Sequence, residues 1–120
     1  MQQVNSKRFH IIFDLSNINQ KIADVSAIES FMRDLVGKVN MSILHGPVAV
    51  EGIPENPGVT CFVIIDFSHI SIHTFTKHNE ALIDIFSCKE FDKESAKRFC
   101  QDFFGVDDSN TRLKEVWWGD

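Results

Sequence analysis

Apolar and polar residues alternate with period two through Asp66-Phe67-Ser68-His69-Ile70-Ser71-Ile72-His73-Thr74-Phe75. They alternate again through Ile83-Asp84-Ile85-Phe86-Ser87-Cys88. Period two marks a half-buried β-strand. In the first run Ile70 and Ile72 point to one face, and His69, Ser71 and His73 to the other. In the second, Ile83 and Ile85 lie opposite Asp84, Phe86 and Cys88. The polar break His78-Asn79-Glu80 lets the two runs pair as an antiparallel hairpin. Matching their apolar faces leaves His73, Asp84 and Cys88 projecting together from the other side. An imidazole, a carboxylate and a thiol make that face chemically loaded.

The flanking pattern supplies the remaining elements. Phe9 to Leu15 reads as a first strand, closed by the polar run Ser16-Asn17-Ile18-Asn19. A helix follows, capped by Asp24 or Ser26, the latter at capping-box spacing from Glu29. Its stripe is Ile28, Phe31, Met32, Leu35 and Val36, and Gly37 reads as its stop. Val39 to Leu44 is a second strand. His45 to Gly58 holds three Pro and three Gly, which predicts a loop or irregular hairpin beside the loaded face. Val59 to Phe67 is apolar nearly throughout and reads as a central third strand. Asp92 caps a second helix, with Ala96, Phe99, Cys100, Phe103 and Phe104 buried and Gly105 ending it. Arg112 to Trp118 is a last strand, its Trp117-Trp118 pair set to cover a sheet edge or a partner surface.

The order β-α-β-β-β-β-α-β predicts an α+β fold, a two-layer α/β sandwich. Its mainly antiparallel sheet carries two helices on one face. The uncovered face holds Phe62, Phe75 and Phe86 beside His73, Asp84 and Cys88. That much aromatic surface predicts burial against a second copy of the same sheet face, in a two-fold homodimer with its sites at the interface.

Composition narrows the function. A chain of 120 residues reads as a single domain over 1–120. A net charge of −5 argues against a nucleic-acid or anionic-membrane partner, which would need clustered Lys and Arg. No apolar run approaches a membrane span. Three cysteines and no signal peptide predict free thiols in a reduced, cytoplasmic setting, with Cys61 and Cys100 structural. His69 and His73 share a strand face, but that spacing is about 13 Å, too far for one ion, so no metal is expected. Eleven Phe without a Tyr predict an aromatic core.

The string Ser68-His69-Ile70-Ser71-Ile72-His73-Thr74, with Cys88 twenty residues after the serine and Gly58-Val59-Thr60 upstream, resembles the bacterial and archaeal S-adenosylmethionine decarboxylases. These are small pyruvoyl enzymes of polyamine biosynthesis. Decarboxylating an α-amino acid leaves a carbanion, so the catalyst must supply an electron sink. By the resemblance that sink is a covalent pyruvoyl group made from Ser68. Ser68 attacks the carbonyl of Phe67, and elimination cuts the chain between 67 and 68. Thr60 stands for the family's processing serine. His73 takes the proton during elimination, and Cys88 protonates the product carbon.

The pocket departs from the family pattern. Where the family continues Trp-Pro-Glu after His-Thr, this chain has Phe75-Thr76-Lys77, and the Glu before the cleavage serine is Phe67. Phe75 still offers a ring to stack on adenine. Lys77 reverses the charge of the ribose ligand and has no acceptor. One alternative is therefore the same chemistry retuned to arginine or ornithine, with Lys77 meeting a carboxylate and Asp66, Glu80 or Asp84 the cationic end. Another is a non-catalytic relative that binds a ligand or partner through the same sheet face. Asp84 alternatively pairs with Lys77 or caps a turn.

Overall fold

The computed structural model describes residues 7–19 and 23–117. The elements are β1 (Phe9–Leu15), α1 (Val25–Lys38), β2 (Ile43–Ile53), β3 (Asn56–Ile65), β4 (Ser68–Phe75), β5 (Glu80–Ser87), α2 (Lys93–Phe104) and β6 (Thr111–Val116). This is the expected order. The strands form one antiparallel sheet in the order β2-β3-β4-β5-β1-β6.

Alternation decides which side of each strand is buried. Ile11, Phe13 and Leu15 of β1, Cys61, Val63 and Ile65 of β3, Ile70 and Ile72 of β4, and Ile83 and Ile85 of β5 all lie under the helices. The helices return Ile28, Phe31, Met32 and Leu35 from α1, and Ala96, Cys100 and Phe104 from α2. Phe31 joins the two helices. Its ring lies 5.5 Å from Phe99, 4.6 Å from Phe103 and 5.3 Å from Phe104. Phe31, Phe99, Phe103 and Phe104, four of the eleven phenylalanines, meet here, where large planar side chains bury much area per residue.

The caps follow local chemistry. Asp24 caps α1, accepting from the Ala27 N–H, and Ser26 is an exposed first-turn residue. Asp92 accepts from the Ser95 N–H at the start of α2, and Gly105, at φ 69°, ends it. Gly37 does not stop α1. The helix runs one residue further and closes when Asn40 turns left-handed at φ 58°. Met41 N–H then donates to Val36 O and Asn40 N–H to Gly37 O, the paired bonds of a Schellman closure with Asn in the glycine position.

The second strand starts later than the pattern predicted and runs through the Pro/Gly segment. Residues 45–53 are strand, joined to β3 as an irregular hairpin with register shifts around His45 and at Glu51. Because β2 is an edge strand, Pro47 breaks no ladder bond that a neighbour needs. The third strand gives up Asp66 and Phe67 to a turn, and it lies one strand in from that edge. The last strand ends at Val116. Trp117 beyond it is exposed, and Trp118 lies outside the described residues. Among the described residues, no helix is long and apolar enough to cross a membrane.

Candidate active site

The sheet face away from the helices carries most of the side chains singled out in the sequence. Its odd-numbered β4 residues are His69, Ser71, His73 and Phe75, flanked by Thr60, Phe62 and Ile64 of β3 and by Leu82, Asp84 and Phe86 of β5. Rings cross four strands in a ladder. Phe62 stacks on His69 at 5.2 Å, His69 on Phe86 at 5.6 Å, and His10 meets Phe86 edge-on at 5.2 Å. Phe62, Ile64, Val48 and Val50 are exposed there.

Ser68 opens β4 straight after the Asp66-Phe67 turn. Its φ is 149°, a region that side-chain-bearing residues rarely enter and that stores backbone strain. Neighbours fix the turn on both sides. Asp66 Oδ1 accepts from the Ser42 N–H at 3.1 Å. Cys88 N–H donates to the carbonyl oxygen of Phe67 at 2.9 Å. Ser68 Oγ lies 3.7 Å from Cys88 Sγ. Serine, thiol and a polarised carbonyl therefore meet at one point.

A second cluster lies further along the face. Thr60 and His73 are register partners across β3 and β4, and Thr60 Oγ1 is hydrogen-bonded to His73 Nδ1 at 3.0 Å. Gly58 makes this approach possible. At φ 152°, a side chain there would stand 1.8 Å from the Thr74 carbonyl oxygen. Thr74 Oγ1 in turn accepts from the Val59 N–H at 2.8 Å. Phe75 follows on the same face. Lys77 is exposed in the β4–β5 turn, its ammonium donating to Glu55 O at 3.2 Å. His73 lies five residue steps along the strand from Ser68, about 16 Å, so the two clusters stay apart within one chain.

Asp84 pairs neither with Lys77 nor with a turn. It accepts from His10 Nε2 at 2.8 Å, across the β1–β5 pair. Sequence reasoning overlooked His10, although the alternation in β1 puts it on the open face with Ile12 and Asp14. It also missed the Cys88 N–H, a backbone donor that no side-chain pattern reveals. Cys61 and Cys100 are buried, as expected of structural thiols. Burial, then the nearby Glu29 carboxylate, push the Cys61 thiol up to about 11. Burial also raises Cys100. Among the described residues, no group of three His, Cys, Asp or Glu is placed to hold a metal ion.

Fold and site together define a two-layer α+β protein with a strained serine at a strand start and a thiol beside it. The family model for S-adenosylmethionine decarboxylase matches residues 9–115. A proenzyme of that name from a Geobacillus species is 32% identical over 103 residues, 85% of this chain and 81% of the relative. One from Archaeoglobus fulgidus is 32% identical over 97 residues, 78% of this chain and 84% of the relative. One from Thermodesulfovibrio yellowstonii is 31% identical over 83 residues, spanning 58% of that relative's length. The crystal structure of the adenosylmethionine decarboxylase of Aquifex aeolicus shares the fold, with a TM-score of 0.77, 24% identity, and coverage of 98% of this chain and 94% of that one. The chain belongs to the S-adenosylmethionine decarboxylase family, a family of carboxy-lyases.

Proposed function

We propose that the chain is a self-processing, pyruvoyl-dependent decarboxylase of S-adenosylmethionine. In this reading it serves polyamine biosynthesis in the cytoplasm, as a single domain cut between Phe67 and Ser68. The observation that carries this is the strained Ser68 following a carbonyl whose oxygen already accepts the Cys88 N–H at 2.9 Å. Attack of Ser68 Oγ on the Phe67 carbonyl carbon puts negative charge on that oxygen. A fixed backbone donor is the group that stabilises such charge without reorganising. The C–N bond then breaks, leaving an ester between Phe67 and the Ser68 side chain and releasing the backbone strain.

Loss of the Ser68 α-proton expels the Phe67 carboxylate. Water then displaces ammonia, and the ketone at position 68 heads the second fragment. Once formed, this pyruvoyl group supplies the electron sink for decarboxylation. Cys88 stands beside it, with Sγ placed to deliver a proton to the product carbon.

The base for elimination is His73, its ring oriented by the Thr60 hydroxyl at Nδ1. Its distance from Ser68 along β4 argues for a homodimer in which His73 of the partner subunit serves Ser68. Two open faces meeting about a two-fold axis would also bury Phe62, Ile64, Val48 and Val50. Phe75, beside His73, presents a ring to the adenine, and Lys77 stands where the family grips the ribose. Asp84, held by His10, and Asp66, held by Ser42, line the approach.

The test is the intact mass of the purified protein under denaturing conditions, followed by carbon dioxide release from S-adenosylmethionine, arginine and ornithine. Expected are two fragments parted between Phe67 and Ser68, the second lighter than a serine-headed chain by about the mass of ammonia, with turnover of S-adenosylmethionine. An uncut chain would overturn self-processing and favour a binding role. Release from arginine or ornithine alone would overturn the substrate.

A further inference from the structure

Resting on that reading, we propose that Lys89 is the cation that receives the carboxylate set free at Phe67, assisting its departure and holding it afterwards. Three features place it. Lys89 directly follows Cys88, whose N–H already grips the oxygen that becomes part of that carboxylate. Its ammonium lies 5.3 Å from the centroid of the Phe67 ring, and it is anchored meanwhile on Asn40 O at 2.9 Å. The backbone beneath is clamped by the buried Ser87 hydroxyl, which accepts from Lys89 N–H at 2.9 Å and donates to Lys89 O at 2.7 Å. Adjacent Cα atoms are about 3.8 Å apart, so the lysine stem starts beside the residue that grips this oxygen.

The step concerned is the elimination. As the ester intermediate loses its α-proton, the Cβ–Oγ bond of Ser68 breaks. The electron pair goes to the Phe67 carboxylate, and a double bond remains at position 68. A carboxylate leaves more readily when a cation meets the developing charge. Before this step Phe67 carries no charge, and the ammonium is held by Asn40 O at 2.9 Å and by the face of the Phe67 ring. The attack that makes the ester has its own donor in the Cys88 N–H, so Lys89 acts on the second step and not the first.

The full chain, freshly synthesised in a cell-free reaction, is followed on denaturing gels with and without hydroxylamine, which cleaves the ester and leaves the amide intact. Lys89→Gln is expected to slow fragment release about tenfold. It should also accumulate a hydroxylamine-sensitive species whose second fragment begins with an intact serine. Lys89→Arg should restore the wild-type rate. Release at the wild-type rate in Lys89→Gln, or slow release with no ester build-up, would overturn the inference. Equal melting temperatures for Ser68→Ala with and without Lys89→Gln would show that the lost lysine leaves the fold intact, and a fall with no ester build-up would assign Lys89 to packing instead. An uncut wild type would overturn both this inference and the reading beneath it. A cut wild type with an indifferent Lys89→Gln would overturn this inference alone.

Discussion

Ser68 Oγ and Cys88 Sγ, twenty residues apart in the chain, stand 3.7 Å from each other at the adjoining ends of β4 and β5. The thiol is exposed, whereas Cys61 and Cys100 are enclosed. Iodoacetamide near neutral pH should therefore label Cys88 alone in the folded protein and all three cysteines after denaturation. Peptide mapping reads this directly, and labelling of Cys61 without unfolding would contradict the buried placement. Modified protein should lose decarboxylation while keeping any cut already made.

The separation of Ser68 from the Thr60–His73 pair gives a complementation test. Ser68→Ala and His73→Ala chains should each remain uncut when made alone. Loss of a general base commonly slows a step by about 10²–10⁴-fold. Made together, they should form mixed dimers in which the His73→Ala chain is cut by His73 of the other protomer. Absence of any cut in the mixture would place His73 in service of its own Ser68. Thr60→Ser should process normally, and Thr60→Ala about tenfold slower.

Lys77→Glu would restore an acceptor where a ribose hydroxyl is expected. Tighter binding of S-adenosylmethionine, by about tenfold, is the expected outcome in calorimetry on the cut enzyme. Stability should stay within about 0.5 kcal/mol, because the lysine is exposed and its bond is to an exposed carbonyl, Glu55 O. Unchanged affinity would remove Lys77 from the pocket.

The turn leading into β6 titrates with a definite sign. The hydroxyl and N–H of Ser109 hold Asp107 below its ordinary value, and the Gln101 amide, then Lys97, do the same for Asp108. Both carboxylates thus favour the folded chain fully above the ordinary value of 3.8. That support is lost as the pH falls through their lower folded values. Melting temperature should drop across that acid range, and Asp107→Asn with Asp108→Asn should flatten the drop. An unflattened profile would assign acid sensitivity elsewhere.

Strand and helix order were legible in the chain because alternation and the 3.6-residue stripe are local signals, and both helix starts carry an aspartate cap. The errors arose where tertiary context overrode a local cue. Gly37 stayed helical because Asn40 closed the helix instead. The Gly46-Pro47 segment joined a strand because an edge tolerates missing donors. Of the site, Ser68, His73, Thr60 and Cys88 were visible through their side chains. The Cys88 N–H, the His10–Asp84 pair and the position of Lys89 were not, since each depends on which strands lie side by side.

The strand order has a consequence for what a cut at residue 67 would do. β1, β2 and β3 belong to the piece before it, and β4, β5 and β6 to the piece after. In the sheet β1 is hydrogen-bonded on one side to β5 and on the other to β6, while β3 is bonded to β4. The two polypeptides would be interleaved like the fingers of clasped hands, with three ladders of hydrogen bonds crossing between them. Neither could leave without dismantling the middle of the sheet. Scission would thus turn one chain into an inseparable pair whose arrangement records that folding came first.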